Sequence, residues 1–141
     1  MLQHFIKQFT QEDLGQIVTV NKSYYLVTDE LMEVCGKIKE QPQNIGIYLG
    51  ENNKPSLALL DILSKKTDKK VFLNEKGEFL FICGRDIMGG SITKANVSSG
   101  LVMMQNAHDE NLGYGKIIGK LDAKEKIVIQ NIFDRGDFLR R

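Results

Sequence analysis

Beyond Lys70 the sequence breaks into short hydrophobic runs punctuated by glycine, and this constrains the fold more than any other feature. Segments 71–74, 78–82, 92–95, 101–106, 112–119 and 127–133 each read as a strand. They are short, rich in β-branched and aromatic residues, and bounded by turn formers. Glu75-Lys76-Gly77 reads as a three-residue hairpin connection in which Gly77 supplies a positive φ. Residues 84–88 read as one or two helical turns. Six short strands and one brief helix in roughly seventy residues predict a small β-barrel.

The first half has a different texture. Leu2, Phe5, Ile6 and Phe9 fall at helical spacing, and segments 16–20 and 24–27 read as strands joined by a turn at Asn21-Lys22. Thr28 is placed to cap a helix, with Asp29 and Glu30 in its first turn and Leu31, Val34, Cys35 and Ile38 on one face. A loop at 41–44, a strand at 45–49 and a loop at 51–55 follow. Ser56 then caps a helix through Leu57, Leu60, Ile62 and Leu63 that ends near Lys66. The expected fold is α+β: an N-terminal α/β domain over residues 1–66, packed on a C-terminal mixed β-barrel over residues 67–141.

Charge is unevenly spread. Residues 1–63 carry five Lys/Arg against eight Asp/Glu, and residues 64–141 carry fourteen against ten. Lys65, Lys66, Lys69 and Lys70 form one cluster, Lys116, Lys120, Lys124 and Lys126 a second, and Arg135, Arg140 and Arg141 a third. Such asymmetry suits a polyanionic partner for the basic half, although a run like 65–70 also fits a solvated helix end. No apolar run reaches the roughly 18–20 residues that span a bilayer, and the start lacks the marks of a signal peptide. Two cysteines make no disulfide framework, so a reducing, cytoplasmic setting without a membrane partner is expected.

Catalytic readings find little support. Gly84, Gly89, Gly90 and Ser91 have the spacing of a phosphate-binding loop, but Gly90 stands where that loop requires a lysine. Cys35 and Cys83 read as buried packing residues, and His108-Asp109-Glu110 as a solvated loop tip. Phe79, Phe81, Tyr114 and Phe133 lie on expected strands and are assigned to the barrel core. Phe138 is kept as a possible stacking platform. No carboxylate pair or Ser/His/Asp set is assignable, so a non-catalytic protein without cofactor, metal or small-molecule substrate is expected.

Residues 78–93, EFLFICGRDIMGGSIT, resemble the first strand, short helix and following loop of the PUA domain, an RNA-binding module. Ser99-Gly100-Leu101-Val102-Met103 and Leu112-Gly113-Tyr114-Gly115 resemble two later strands of that family. Asp134-Arg135-Gly136-Asp137-Phe138-Leu139-Arg140 resembles the ending of the ribosome-biogenesis factors typified by nuclear import protein seven. Residues 25–32 and 57–63 resemble that family's N-terminal strand-into-helix segment and its interdomain helix. Three positions depart from the pattern: Gly89 replaces a polar or basic residue, Ser91 a glycine, and Cys83 an aromatic residue.

The resemblance implies a PUA-like barrel and an archaeal-type factor that binds precursor rRNA during large-subunit assembly, alongside other ribosome-assembly proteins. It implies a cytoplasmic location, nuclear or nucleolar in a eukaryote. In PUA-like barrels the short helix, the adjoining strand and the last strand form the RNA face. Carried over, this recruits Arg85, Lys94, Arg135, Arg140 and Arg141, with Lys69 and Lys70 as an extension. Arginines there can fork onto phosphates or stack on unpaired bases. Two alternatives stay open: a protein-interaction adaptor docking through its acidic N-terminal half, and an RNA-modifying enzyme.

Overall fold

The computed structural model describes residues 2–27, 46–51 and 54–140, the last three by backbone only. The expected helix after Thr28, the loop at 41–44 and Cys35 lie outside the described residues, as do Arg141 and the side chains of Phe138 and Arg140. The chain divides into two compact units, Met1–Leu63 and Ser64–Arg141.

The first unit opens with α1 (Leu2–Lys7), whose Leu2, Phe5 and Ile6 are buried. Phe9, just beyond it, packs edge-on against Phe5 with ring centroids 5.2 Å apart. Strands β1 (Gln16–Val20), β2 (Ser23–Val27), β3 (Ile47–Glu51) and β4 (Lys54–Pro55) form an antiparallel sheet in that order. The β1–β2 turn holds only Asn21 and Lys22, both at positive φ (50° and 69°). A two-residue hairpin whose twist matches its strands requires this backbone. Helix α2 (Leu57–Lys66) begins where Ser56 Oγ accepts the Leu59 amide at 3.1 Å and donates to the Tyr48 carbonyl. Leu59, Leu60 and Leu63 of this helix are fully buried.

The second unit contains β5 (Lys70–Leu73), α3 (Glu75–Ile82), β6 (Ile87–Met88), a 3-10 turn at Gly89–Ser91, and β7 (Ile92–Ala95). Strands β8 (Gly100–Gln105), β9 (Asn111–Ile117) and β10 (Ile127–Asp134) follow, and a 3-10 turn at Arg135–Arg140 ends the described chain. The sheet order is β6-β10-β9-β8-β5-β7, with β5 and β8 parallel and the remaining pairs antiparallel. The two edge strands, β6 and β7, are consecutive in sequence. Six flat strands would hold their edges about 24 Å apart. Four Cα steps join Met88 to Ile92 and reach at most about 15 Å. The sheet therefore curls into a nearly closed mixed barrel around Val71, Leu73, Phe81, Ile87, Val102, Met104 and Ile129.

Glycines make that curl possible. A Cβ on Gly113 would lie 2.0 Å from the Phe133 carbonyl oxygen, and one on Gly115 would lie 2.5 Å from that of Gln130. Only residues without side chains let β10 approach β9 this closely.

Sequence and structure part between residues 75 and 88. The expected hairpin at 75–77 and strand at 78–82 are one helix, α3, and the expected helical turn at 84–88 is a reverse turn leading into β6. Asn74 caps α3 by accepting the Gly77 amide at 2.8 Å, and Glu75 and Glu78 occupy the first turn. Gly77 sits inside the helix because a Cβ there would lie 2.8 Å from Ser91 Cβ. As a result Phe81 is fully buried, as expected, while Phe79 is 63% exposed rather than in the core. Cys83 caps the C-terminus of α3 and is an exposed free thiol, not a buried packing residue. Among the described residues no helix is long and apolar enough to cross a membrane.

Candidate nucleic-acid interface

The end of α3 fixes the backbone of Arg85. Gly84 takes φ +88°, its amide bonds to the Phe81 carbonyl, and the Arg85 amide reaches back to Leu80. This double closure is a Schellman motif, which requires a left-handed residue at the glycine position. The Arg85 carbonyl accepts from Asn131 Nδ2 at 3.3 Å, and the Asp86 carboxylate accepts the Asn131 amide at 2.9 Å. The turn after α3 is thereby tied to β10, and Arg85 projects into solvent from a backbone held at both polar groups.

Across from it, the Gly89 amide donates to the Lys126 carbonyl and the Gly90 amide to that of Lys124. A Cβ on Gly89 would lie 2.5 Å from the Ala123 carbonyl oxygen, so the loop before β10 can rest there only against glycine. These bonds also settle the phosphate-loop spacing at 84–91. Amides committed to backbone carbonyls are not free to cradle a phosphate.

Between α3, the 3-10 turn and this loop runs an open groove of about 610 Å³. Lys76, Arg85 and Lys124 line it, with Asp86 the one acidic residue on its walls. All three cations are exposed, and among the described residues none makes an ion pair. Leu80, Met88 and Ile127 give the groove an apolar side. Met88 and Ile127 are cross-strand partners, 43% and 52% exposed. Unpaired cations beside exposed apolar side chains suit a ligand with both phosphates and flat bases.

The other expected residues with described side chains lie elsewhere. Lys94 stands three residues along β7 from Ser91, about 10 Å at strand rise. Its Nζ lies 5.6 Å from the centroid of the Phe72 ring. Lys70 pairs with Asp109 at 3.2 Å. Lys69 is exposed, its amide held by Thr67 Oγ1 and its carbonyl by the Met103 amide. Arg135 is half-buried, and its Nε donates to the Asn111 carbonyl. Asn111 in turn donates through Nδ2 to Gln105 Oε1 at 2.8 Å, in a buried polar network on the barrel wall. Arg140 and Arg141 lie outside the described side chains. Of the expected residues with described side chains, the groove thus contains only Arg85. Lys76 was hidden by reading residues 75–77 as a hairpin, and Lys124 reaches the groove only through the bond to Gly90.

A nearly closed mixed barrel with one helix between its first two strands is the architecture of a PUA-type module. Over 98% of this chain and 89% of its own, a conserved PUA domain protein from Thermoplasma acidophilum superposes with TM-score 0.61 at 14% identity, a likeness of fold alone. Residues 69–141 match the UPF0113 PUA domain. A UPF0113 protein of Archaeoglobus fulgidus is 33% identical, over 84% of this chain and 73% of its own length. The chain belongs to the UPF0113 PUA-domain family. A hypothetical protein from Pyrococcus horikoshii aligns over 57% of this chain and 56% of its own at 19% identity with TM-score 0.47.

Proposed function

We propose that this protein binds RNA without turning it over, through the groove lined by Lys76, Arg85 and Lys124, and serves in large-subunit pre-rRNA assembly. The observation that carries the binding reading is the convergence of these three unpaired cations beside Met88 and Ile127. Neutralising phosphates releases counterions, so cations gathered on one surface contribute more to RNA affinity than the same number dispersed. The apolar side accommodates base faces, for which a purely ionic site has no use. Membership of a PUA-domain family points to the same ligand. The ribosomal role rests on the resemblance of residues 134–140, 25–32 and 57–63 to the nuclear import protein seven family, and the cytoplasmic location follows from it.

The test is anisotropy titration of a short unstructured RNA with the full chain, and with a variant carrying K76A, R85A and K124A. For single strands the logarithmic salt slope is about −0.7 per phosphate, so three contacts give roughly −2. The triple variant should lose most of that slope and most of its low-salt affinity while melting like the parent. Undiminished binding by a folded triple variant would refute the groove.

A further inference from the structure

Away from the groove, the outer face of β5 and β7 holds a second set of charges. Phe72 pairs directly with Lys94 across the two strands, and Lys70 lies two residues before Phe72. The period of two therefore puts all three on the face opposite the core residues Val71 and Leu73. Lys70 Nζ lies 3.2 Å from each carboxylate oxygen of Asp109. Asp109 sits at φ +59° on the turn between β8 and β9. Its Oδ1 also accepts from Nε2 of the fully buried Gln105 at 2.9 Å. The Gln105 hydrogen bond, then Lys70, with Lys94 adding its field, hold this carboxyl below the usual carboxylate range against partial burial.

Two acceptor oxygens bearing one negative charge, straddling an ammonium, are what a phosphodiester presents with its non-bridging oxygens. We propose that Lys70 and Lys94 form a second RNA-phosphate site, which Asp109 fills in the free protein. Its carboxylate screens this face and so confines RNA to the groove. The proposal rests on the RNA-binding reading and assigns Asp109 a role in specificity. Lys94 is parked over the Phe72 ring beside the site, and its flexible stem lets it swing onto a phosphate.

The substitution D109N separates charge from structure. Asparagine adopts positive φ readily, and its amide oxygen still accepts from Gln105 Nε2. Full-length wild type, D109N and D109N/K70Q are titrated with a short unstructured RNA at about 50 and 200 mM salt. D109N should bind at least about threefold tighter at the lower salt. That advantage should shrink by about threefold per phosphate gained at the higher salt. The double variant should return to wild-type affinity. A D109N that folds normally but gains nothing overturns the proposal, as does a gain that survives in D109N/K70Q. The same series in an R85A/K124A background separates the two ideas. A gain there supports the second site even if the groove reading fails; no gain in either background, while the groove substitutions alone still weaken binding, overturns the second site alone.

Discussion

Gly113 and Gly100 both take positive φ, at +141° and +87°, but only Gly113 faces a crowded neighbour. A Cβ on Gly113 would lie 2.0 Å from the Phe133 carbonyl oxygen and 2.8 Å from Asp134 Cα, whereas one on Gly100 would meet nothing within 4 Å. Both are backbone atoms, so no rotamer change relieves the contact. β10 must retreat by about 1 Å, disturbing the Phe133–Tyr114 and Asp134–Gly113 pairs that join it to β9. Backbone strain costs each alanine variant about 1–3 kcal/mol, and overpacking adds about 1–3 kcal/mol for Gly113→Ala alone. At about 2–4 °C per kcal/mol for a chain of this size, Gly113→Ala should melt roughly 2–12 °C below Gly100→Ala. Thermal unfolding of the full chain by circular dichroism measures the difference. Equal melting of the two variants would refute the close approach of β9 and β10 and the account of the barrel's curvature built on it.

Asn74→Ala should destabilise the second unit by about 1 kcal/mol in urea titration, since it removes the acceptor for the Gly77 amide, and Asn74→Ser should restore most of that loss. Phe79→Ala should leave the melting temperature nearly unchanged, because the ring is 63% exposed; a large drop would contradict its place on the outer side of α3. Asp109 has a depressed carboxyl, so its stabilising contribution is complete above the unfolded-state value near 4 and disappears as pH falls through the lower folded value. D109N should therefore flatten the acid limb of the stability profile below about pH 4; a limb as steep as wild type would mean that Asp109 does not contribute to it.

Strands bounded by glycine or short polar linkers were legible. Segments 16–20 and 92–95 match β1 and β7, and 101–106 and 127–133 match β8 and β10 to within a residue at each end. Residues 78–82 were not, because a run of five apolar-rich positions fits either a buried strand or a short helix. Gly77 has the sequence setting of a turn, yet it is glycine because Ser91, fourteen residues on, leaves no room for a side chain. The available helix signal was Asn74 followed by Glu75 and Glu78. β6 has two residues and exists only through its pairing with Ile127 and Ile129. The site was harder still, because charge along the chain does not say which cations meet. Lys70 is spent on Asp109 and Arg135 on the Asn111 carbonyl, while Lys76 and Lys124, forty-eight residues apart, reach one groove through a helix cap and a glycine contact.

The groove can be tested directly by mapping backbone amide chemical shifts of the full chain during titration with a short unstructured RNA. RNA binding in the groove predicts that the largest, salt-sensitive changes fall on Arg85, Met88, Gly90 and Lys124, at the walls of one groove. Changes that bypass those amides and concentrate in residues of the first unit would contradict it.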